Sequence, residues 1–432
     1  MNIEHKHLLA GGNNGINKIN LSKMSKNSKR ILLLLFITLF INIMGFSLII
    51  PIKPQLIMDI AKTDLSNAAI LGGYLLFGYA LGQFLMSPLI AALSNKYGRK
   101  KILLFSILAS AIDFLVMAFT MHMEILFLSR FLLGVLSATI ATVNLAIVDI
   151  SPPEKRAVNF SIIASAIGLG LMVGPFLGGI IGEFVGIRGP LLLGALLFTI
   201  NLILVYYFVP ETLKEKSKEQ LQWKKLTPFG IFKSLKKATN LPVQLLGASF
   251  LYQLAFHSFT SIWAYYMIDK FNWGALQIGG SLLFVGLTNF FVQNVLIRFL
   301  LPKLGEQKTF LLGASFIIPA FFAYATVSID WFVYIIIVFG SLGALMKPCL
   351  QAIMSSFLPY HKQGELMGVI TSINGISLMV GPLIMTQTFS FFKTNDSSSF
   401  LGAPFILSML FAIVATIIVL RVFSKMKIQS FA

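Results

Sequence analysis

The chain has 432 residues, of which 56% are hydrophobic, only 12% are charged and 40 are phenylalanine. Soluble domains carry about 25% charged residues, so this composition suits a bilayer and argues against a soluble enzyme or a disordered tail protein. The net charge of +18 does not indicate a nucleic-acid partner, because the basic residues sit in short tracts between apolar runs instead of on one polar face.

A polar segment over residues 1–30, rich in Asn, Gly, Ser and Lys, reads as a disordered tail. Crossing about 30 Å of hydrocarbon takes roughly 20 apolar residues in a helix. Twelve such runs follow: near 31–52, 68–93, 102–121, 124–150, 159–182 and 188–209, then 242–268, 276–300, 308–328, 331–358, 366–392 and 400–422. The first run is too long for a signal-peptide core and no small-residue cleavage site follows it, so it is expected to stay in the mature chain. The charged stretch 210–241 reads as a linker between a six-helix bundle over 31–209 and a second over 242–422, with a short tail over 423–432. The expected fold is therefore an all-α integral membrane protein with twelve transmembrane helices.

Connections after the odd-numbered runs hold Lys53, Lys62, Arg188, Lys270 and Lys393. Arg130 and Lys347 lie deep inside runs, and every other Lys or Arg lies in the tails, the linker or the even-numbered connections and the run ends beside them. The positive-inside rule then puts both termini and the linker in the cytoplasm. A single cysteine, Cys349, allows no intrachain disulfide. With no metal-ligand spacing and no nucleotide loop, neither metal nor cofactor is expected.

The two halves match at a fixed offset. Leu-Met-Val-Gly-Pro occurs at 171–175 and again at 378–382, 207 residues later, and the same shift carries Gly98, Lys101 and Pro152 onto Gly305, Lys308 and Pro359. Three anchors at one offset read as two six-helix pseudo-repeats, an arrangement found in secondary transporters that rock about a midplane site.

The loop after the second run reads Pro88-Leu-Ile-Ala-Ala-Leu-Ser-Asn-Lys-Tyr-Gly-Arg-Lys100, and the fifth run carries Gly168-x5-Gly174-Pro175-x2-Gly178-Gly179. With Ser110-Ala-Ile-Asp113 and Leu350-Gln-Ala-Ile-Met354, these motifs make the chain resemble the major facilitator superfamily. Within it the chain is most similar to the twelve-span drug/proton antiporters of the tetracycline efflux group. The resemblance implies secondary active transport of a small organic molecule by alternating access, driven by protons, in a monomer. It also implies a cytoplasmic gate around Asn95, Gly98, Arg99 and Asp149, the last joined by Arg156. Physically, Gly-Pro-x-x-Gly-Gly lets helix backbones approach and bend, though it also serves ordinary small-residue packing. The basic loop is either a latch or only positive-inside charge.

Four features depart from the pattern. Ala91 and Asn95 stand where the loop signature has Gly and Asp, Asn42 stands where the first span usually has an acid, and the ninth span around Gly313 holds no carboxylate. Those acids handle the proton and a cationic or metal-chelated substrate, so their loss counts against tetracycline itself.

Each ionisable residue at a helix centre costs about 2.5–3.5 kcal/mol on insertion scales, so each requires a reason. By resemblance spans one, four, seven and ten line the cavity, and they carry Lys53, Arg130, His257 and Lys347. A cavity of that kind favours an anionic substrate, so uptake or export of an anionic metabolite or polycarboxylate siderophore stands as the alternative to drug efflux. Lys347 is the leading substrate contact; otherwise it is neutral or paired with Asp113. Lys53 either faces the cavity or snorkels, Arg130 either couples or forms a structural pair, and His257 is a proton carrier or a satisfied core histidine. Asp113 reads equally as proton carrier and as ion-pair partner. Trp263, Tyr265, Tyr266 and Trp273 read by default as an interfacial belt, with Trp263 also a possible substrate contact. Gln253, Asn289 and Gln293 either bind a ligand or join helices. A membrane enzyme would require paired carboxylates or a nucleophile with its base, and none is seen; a transporter-like receptor and a channel fit the motifs less well.

Overall fold

The computed structural model describes residues 26–152, 155–213, 243–358, 363–394 and 400–429. Most of the expected N-terminal tail, the linker beyond residue 213 and the last three residues lie outside the described residues. The first half forms α1 (Lys26–Ser47), α2 (Lys53–Ala61), α3 (Leu65–Tyr97), α4 (Arg99–Phe119), α5 (Met123–Leu136), α6 (Thr139–Ile150), α7 (Arg156–Phe184) and α8 (Gly189–Phe208). The second half forms α9 (Val243–Phe271), α10 (Ala275–Phe291), α11 (Ile297–Thr326), α12 (Phe332–Gly340), α13 (Met346–Ser356), α14 (Gln363–Thr394) and α15 (Ala403–Gln429).

Local chemistry sets the breaks. Asp64 caps α3, its carboxylate accepting from the backbone N–H groups of Ser66 and Asn67, each at 3.3 Å. The helix stops at Gly98, whose φ of 109° suits glycine alone, and α4 starts at the next residue. The expected run 124–150 is two helices, because the chain leaves helical geometry at Ser137 and Ala138. Ser106 of α4 satisfies that break by accepting the Ala138 N–H at 2.9 Å. The run 331–358 breaks likewise at a 3-10 turn, Ser341–Leu345, which the offset of 207 maps onto 134–138.

Among the described residues ten helical stretches are long and apolar enough to cross a membrane. One of them, Ala275–Thr326, covers two expected runs, because helix continues through a π-turn at Val292–Leu296 and only Gly305 (φ 72°, ψ 172°) leaves helical geometry. The expected seventh span is the 29-residue α9, which falls outside the ten; Gln253, His257, Ser258, Thr260 and Ser261 lower its apolar character. Large apolar side chains point outward, with Phe119 68% and Phe184 76% exposed, a surface only lipid satisfies.

α1 packs on α7 and α8, α3 on α5, and α4 on α8; in the second half α9 packs on α14 and α15. Across the halves, α7 meets α10 and α3 meets α14. The expected aromatic belt is overturned. Trp263, Tyr265 and Tyr266 are at most 1% exposed and Trp273 is 4% exposed, so they form core. Trp263 donates to Ser281 Oγ at 2.9 Å and packs among Phe259, Tyr324 and Phe405. Tertiary packing covers what an isolated helix would leave at the interface. Cys349 is a buried free thiol in α13.

Candidate functional site

Two features sit within the first half. α4 and α5 form an antiparallel hairpin that brings Asp113 opposite Arg130, with Arg130 Nη2 at 3.3 Å from Asp113 Oδ2. Ser129 donates to the other carboxylate oxygen, Oδ1, at 2.6 Å. Oδ2 receives the arginine's charge but no aligned hydrogen bond. Phe46 of α1 and Phe114 lie 5.7 and 5.5 Å from the guanidinium carbon, so aromatic faces share in stabilising the cation. Arg130 also contacts the Met117 sulfur. Asp113 therefore has its partner in Arg130, and the expected alternative of a Lys347–Asp113 pair is corrected.

The second feature lies around Arg99. Its Nε bonds Asp149 Oδ2 at 3.0 Å, and its Nη1 donates to Ser94 Oγ at 3.0 Å and to Asn95 Oδ1 at 2.7 Å. Asn95 thus keeps a hydrogen bond where the loop signature has Asp, and Asp149 supplies the charge. Glu211, just past α8, was not anticipated. It accepts from the backbone N–H of Arg99 at 2.8 Å and of Lys100 at 3.3 Å, so a carboxylate sits at the positive end of α4. A Cβ on Gly98 would fall on that carboxylate. Arg156, expected to join Asp149, instead donates to the Ser151 carbonyl at 3.4 Å.

The fifth-run glycines divide between two neighbours. Gly174 and Gly178 face α1, where a Cβ would meet Ser47 and the Leu48 carbonyl respectively. Gly179 faces α10, where its Cα and that of Gly279 leave no room for a side chain and a Cβ would strike the Ala275 carbonyl. Pro175 contributes its carbonyl to the same crossing, against Gly279. Gly168 has nothing within 4 Å of a built Cβ.

At the end of the molecule bearing Lys53, the halves are also joined by side chains. Ser66 and Ser390 hydroxyls lie 2.7 Å apart, Tyr265 donates to the Ala68 carbonyl at 3.2 Å, and Lys53 sits 5.5 Å from the Tyr265 ring centre. Nearby, Lys393 is ion-paired with Asp269. Toward the end of α2, the hydrogen bond and charge of Lys62 hold Asp59 below the usual carboxylate range.

Lys347 projects into a small cleft lined by Ser249, Tyr252 and Gln253 of α9, Leu350 and Gln351 of α13, and Ile370 of α14. Gln253 donates to Asn374, tying α9 to α14. Arg130, Lys53, His257 and Asn42 do not line this cleft. His257 packs its ring against Gly381 of the second Gly-Pro motif, with Nδ1 at 3.2 Å from Thr260 Oγ1, and Asn42 is buried in α1. Of the cationic set offered by the four cavity spans, this cleft holds Lys347 alone. Among the described residues no group of three or more His, Cys, Asp or Glu side chains is placed to hold a metal.

The sequence profile described as Major Facilitator Superfamily matches residues 35–382. The chain is 30% identical to the tetracycline resistance protein, class H, of Pasteurella multocida, over 84% of this chain and 90% of that one. It is 29% identical to the class C tetracycline resistance protein of Escherichia coli, covering 85% and 91%. Among solved structures, the human organic anion transporter MFSD10 superposes with a TM-score of 0.68 at 19% identity, covering 90% of this chain and 99% of that one. The nucleoside transporter NupG does so with a TM-score of 0.70 at 13% identity, covering 90% and 98%. With this fold, these motifs and these relatives, the chain belongs to the Major Facilitator Superfamily and is a multi-pass membrane transporter of small molecules.

Proposed function

We propose that the chain exports a small organic molecule from the bacterial cytoplasm in exchange for protons, by alternating access across the inner membrane. The observation that carries this reading is the backbone contact between Gly179 and Gly279, a pivot free of side chains between the two halves. The relatives named for tetracycline resistance support export as the direction.

Counting the two arms of Ala275–Thr326 on either side of Gly305, and adding α9, gives twelve spans in two six-helix repeats over 31–209 and 242–422. The offset of 207 carries α3 onto α10 and α7 onto α14, so the two crossings between halves exchange under the repeat. Both termini and the linker lie in the cytoplasm, which makes the Arg99 network a cytoplasmic gate and the Lys53 end the outer one. Contacts at the Lys53 end, Ser66 with Ser390 and Tyr265 with Ala68, fit a transporter closed outward. The transporter works as a monomer.

Asp113 takes the proton on Oδ2, the oxygen with no aligned hydrogen bond, in place of the acid lost at Asn42, and Arg130 senses the change. His257, against the Gly381 bend, is the second proton site. Substrate contacts come from Lys347 and Asn42, with Arg130, His257 and Lys53 bordering the path.

Everted vesicles energised by respiration, with acridine orange as the proton probe, test the reading. Addition of an exported drug, tetracycline first and then a panel of organic solutes, should release protons, and Asp113→Asn should abolish the release. No response from any solute would sink it. Transport of an anionic metabolite is the second reading, favoured by Lys347. Solute leaving the cytoplasm as protons enter would exclude uptake.

A further inference from the structure

Of the four cations that the cavity spans carry, Lys347 alone is uncommitted. Arg130 is held by Asp113, Lys53 lies on Tyr265, and His257 meets Thr260. Among the described residues the Lys347 ammonium makes no ion pair and no hydrogen bond, and its cleft contains no carboxylate. Gln351 follows Lys347 by one helical turn and so presents its amide on the same face. The Ser249 hydroxyl opposite is a third donor without a partner among the described residues. Tyr252 gives its own hydroxyl to the Gly343 carbonyl at 3.1 Å, and its ring, like Leu350 and Ile370, is buried in the core, so the cleft presents mainly its polar groups.

We propose that Lys347, at the mouth of this cleft, binds the carboxylate of an organic anion. Lys347 supplies the charge, Gln351 and Ser249 donate hydrogen bonds to the two oxygens, and the rest of the ligand extends outward from the cleft. Charge-assisted bonds of this kind are strong where water is scarce. One unpaired cation matches one negative charge: a phosphate monoester would bring a second charge without a partner, and a cationic drug would meet an ammonium in low dielectric. The inference rests on the transport reading only in placing the cleft on the substrate's path.

The test is calorimetric binding to the purified full-length chain, with naphthalene-2-carboxylate against naphthalene-2-carboxamide, octanoate against octanamide, and tetraphenylphosphonium as the cation. Each carboxylate is expected to bind about tenfold more tightly than its amide. Lys347→Gln should erase that preference and Lys347→Arg retain it. Gln351→Glu, which leaves the lysine in place and sets a carboxylate beside it, should erase it too, so the outcome does not hang on one variant's folding. No carboxylate preference in either pair, or a preference that survives Lys347→Gln, overturns the proposal. Binding is read without a gradient, so the two failures separate. Proton-driven export of tetraphenylphosphonium without carboxylate preference would sink this inference alone, and carboxylate binding without proton-driven flux would sink export alone.

Discussion

Arg130 and Asp113 neutralise each other across the α4–α5 hairpin at 3.3 Å, with side chains only 8% and 2% exposed. A buried pair broken on one side leaves a charge without compensation, which costs about 3–5 kcal/mol. Asp113→Asn is therefore expected to lower the unfolding midpoint in detergent, and Arg130→Met to do the same. The double variant should be more stable than the sum of the two losses implies. Simple additivity in that cycle would mean the two side chains do not interact.

Glu211 ties the end of α8 to the start of α4. Replacing it with Ala removes acceptors from two backbone N–H groups, a loss of about 0.5–2 kcal/mol by analogy with other helix caps. Gln at the same position keeps an acceptor and should recover part of it. Gly98→Ala combines a strained φ with a Cβ on the carboxylate, so it should cost at least as much as Glu211→Ala. Urea or thermal midpoints of the four proteins check the order.

The glycines of α7 should not behave alike. Gly179→Val wedges a side chain between α7 and α10 and is expected to cut transport by about tenfold or more while the chain still inserts, because a misplaced pivot misaligns the whole site. Gly168→Ala meets open space and should stay within about 0.5 kcal/mol of the parent, with transport unchanged. Equal losses at both positions would sink the pivot.

Acid should loosen the start of α3. Burial raises the Asp64 carboxyl, but hydrogen bonds from the backbone N–H groups of Asn67 and Ser66, and from the Asn67 and Thr63 side chains, outweigh it and hold the group below its ordinary value. A lowered folded value contributes stability that is complete above the unfolded value and is lost as pH falls through the folded one. Stability should therefore fall on acidification through roughly pH 5 to 3. Asp64→Asn keeps a capping side chain and should flatten that part of the profile, measured by thermal unfolding against pH.

Much of the fold was legible because a bilayer demands long apolar helices, and the offset of 207 residues is a property of sequence alone. The Asp113–Arg130 pair was legible too, though the reading considered Lys347 as a partner instead. The two residues stand eight and nine residues from Met121, the middle of the turn at 120–122, and near-equal distance from a tight turn places residues side by side in an antiparallel hairpin. Glu211 left no such signal, since it reaches α4 from a segment more than a hundred residues away. The aromatic cluster at Trp263, Tyr265 and Tyr266 was misread because burial depends on which helices cover α9, and spacing along one helix does not carry that information.

The solitary buried thiol makes the chain a ready scaffold for spectroscopy. Cys349 is 1% exposed, so maleimide reagents should pass it by, and cysteines introduced at the exposed positions Lys101 and Lys308 would take the label. Those two positions stand 207 residues apart, the offset at which the sequence matches itself, and Lys101 lies two residues from Arg99. A pair of spin labels there would act as a ruler across the two halves, reporting the width of the opening as solute and proton are added.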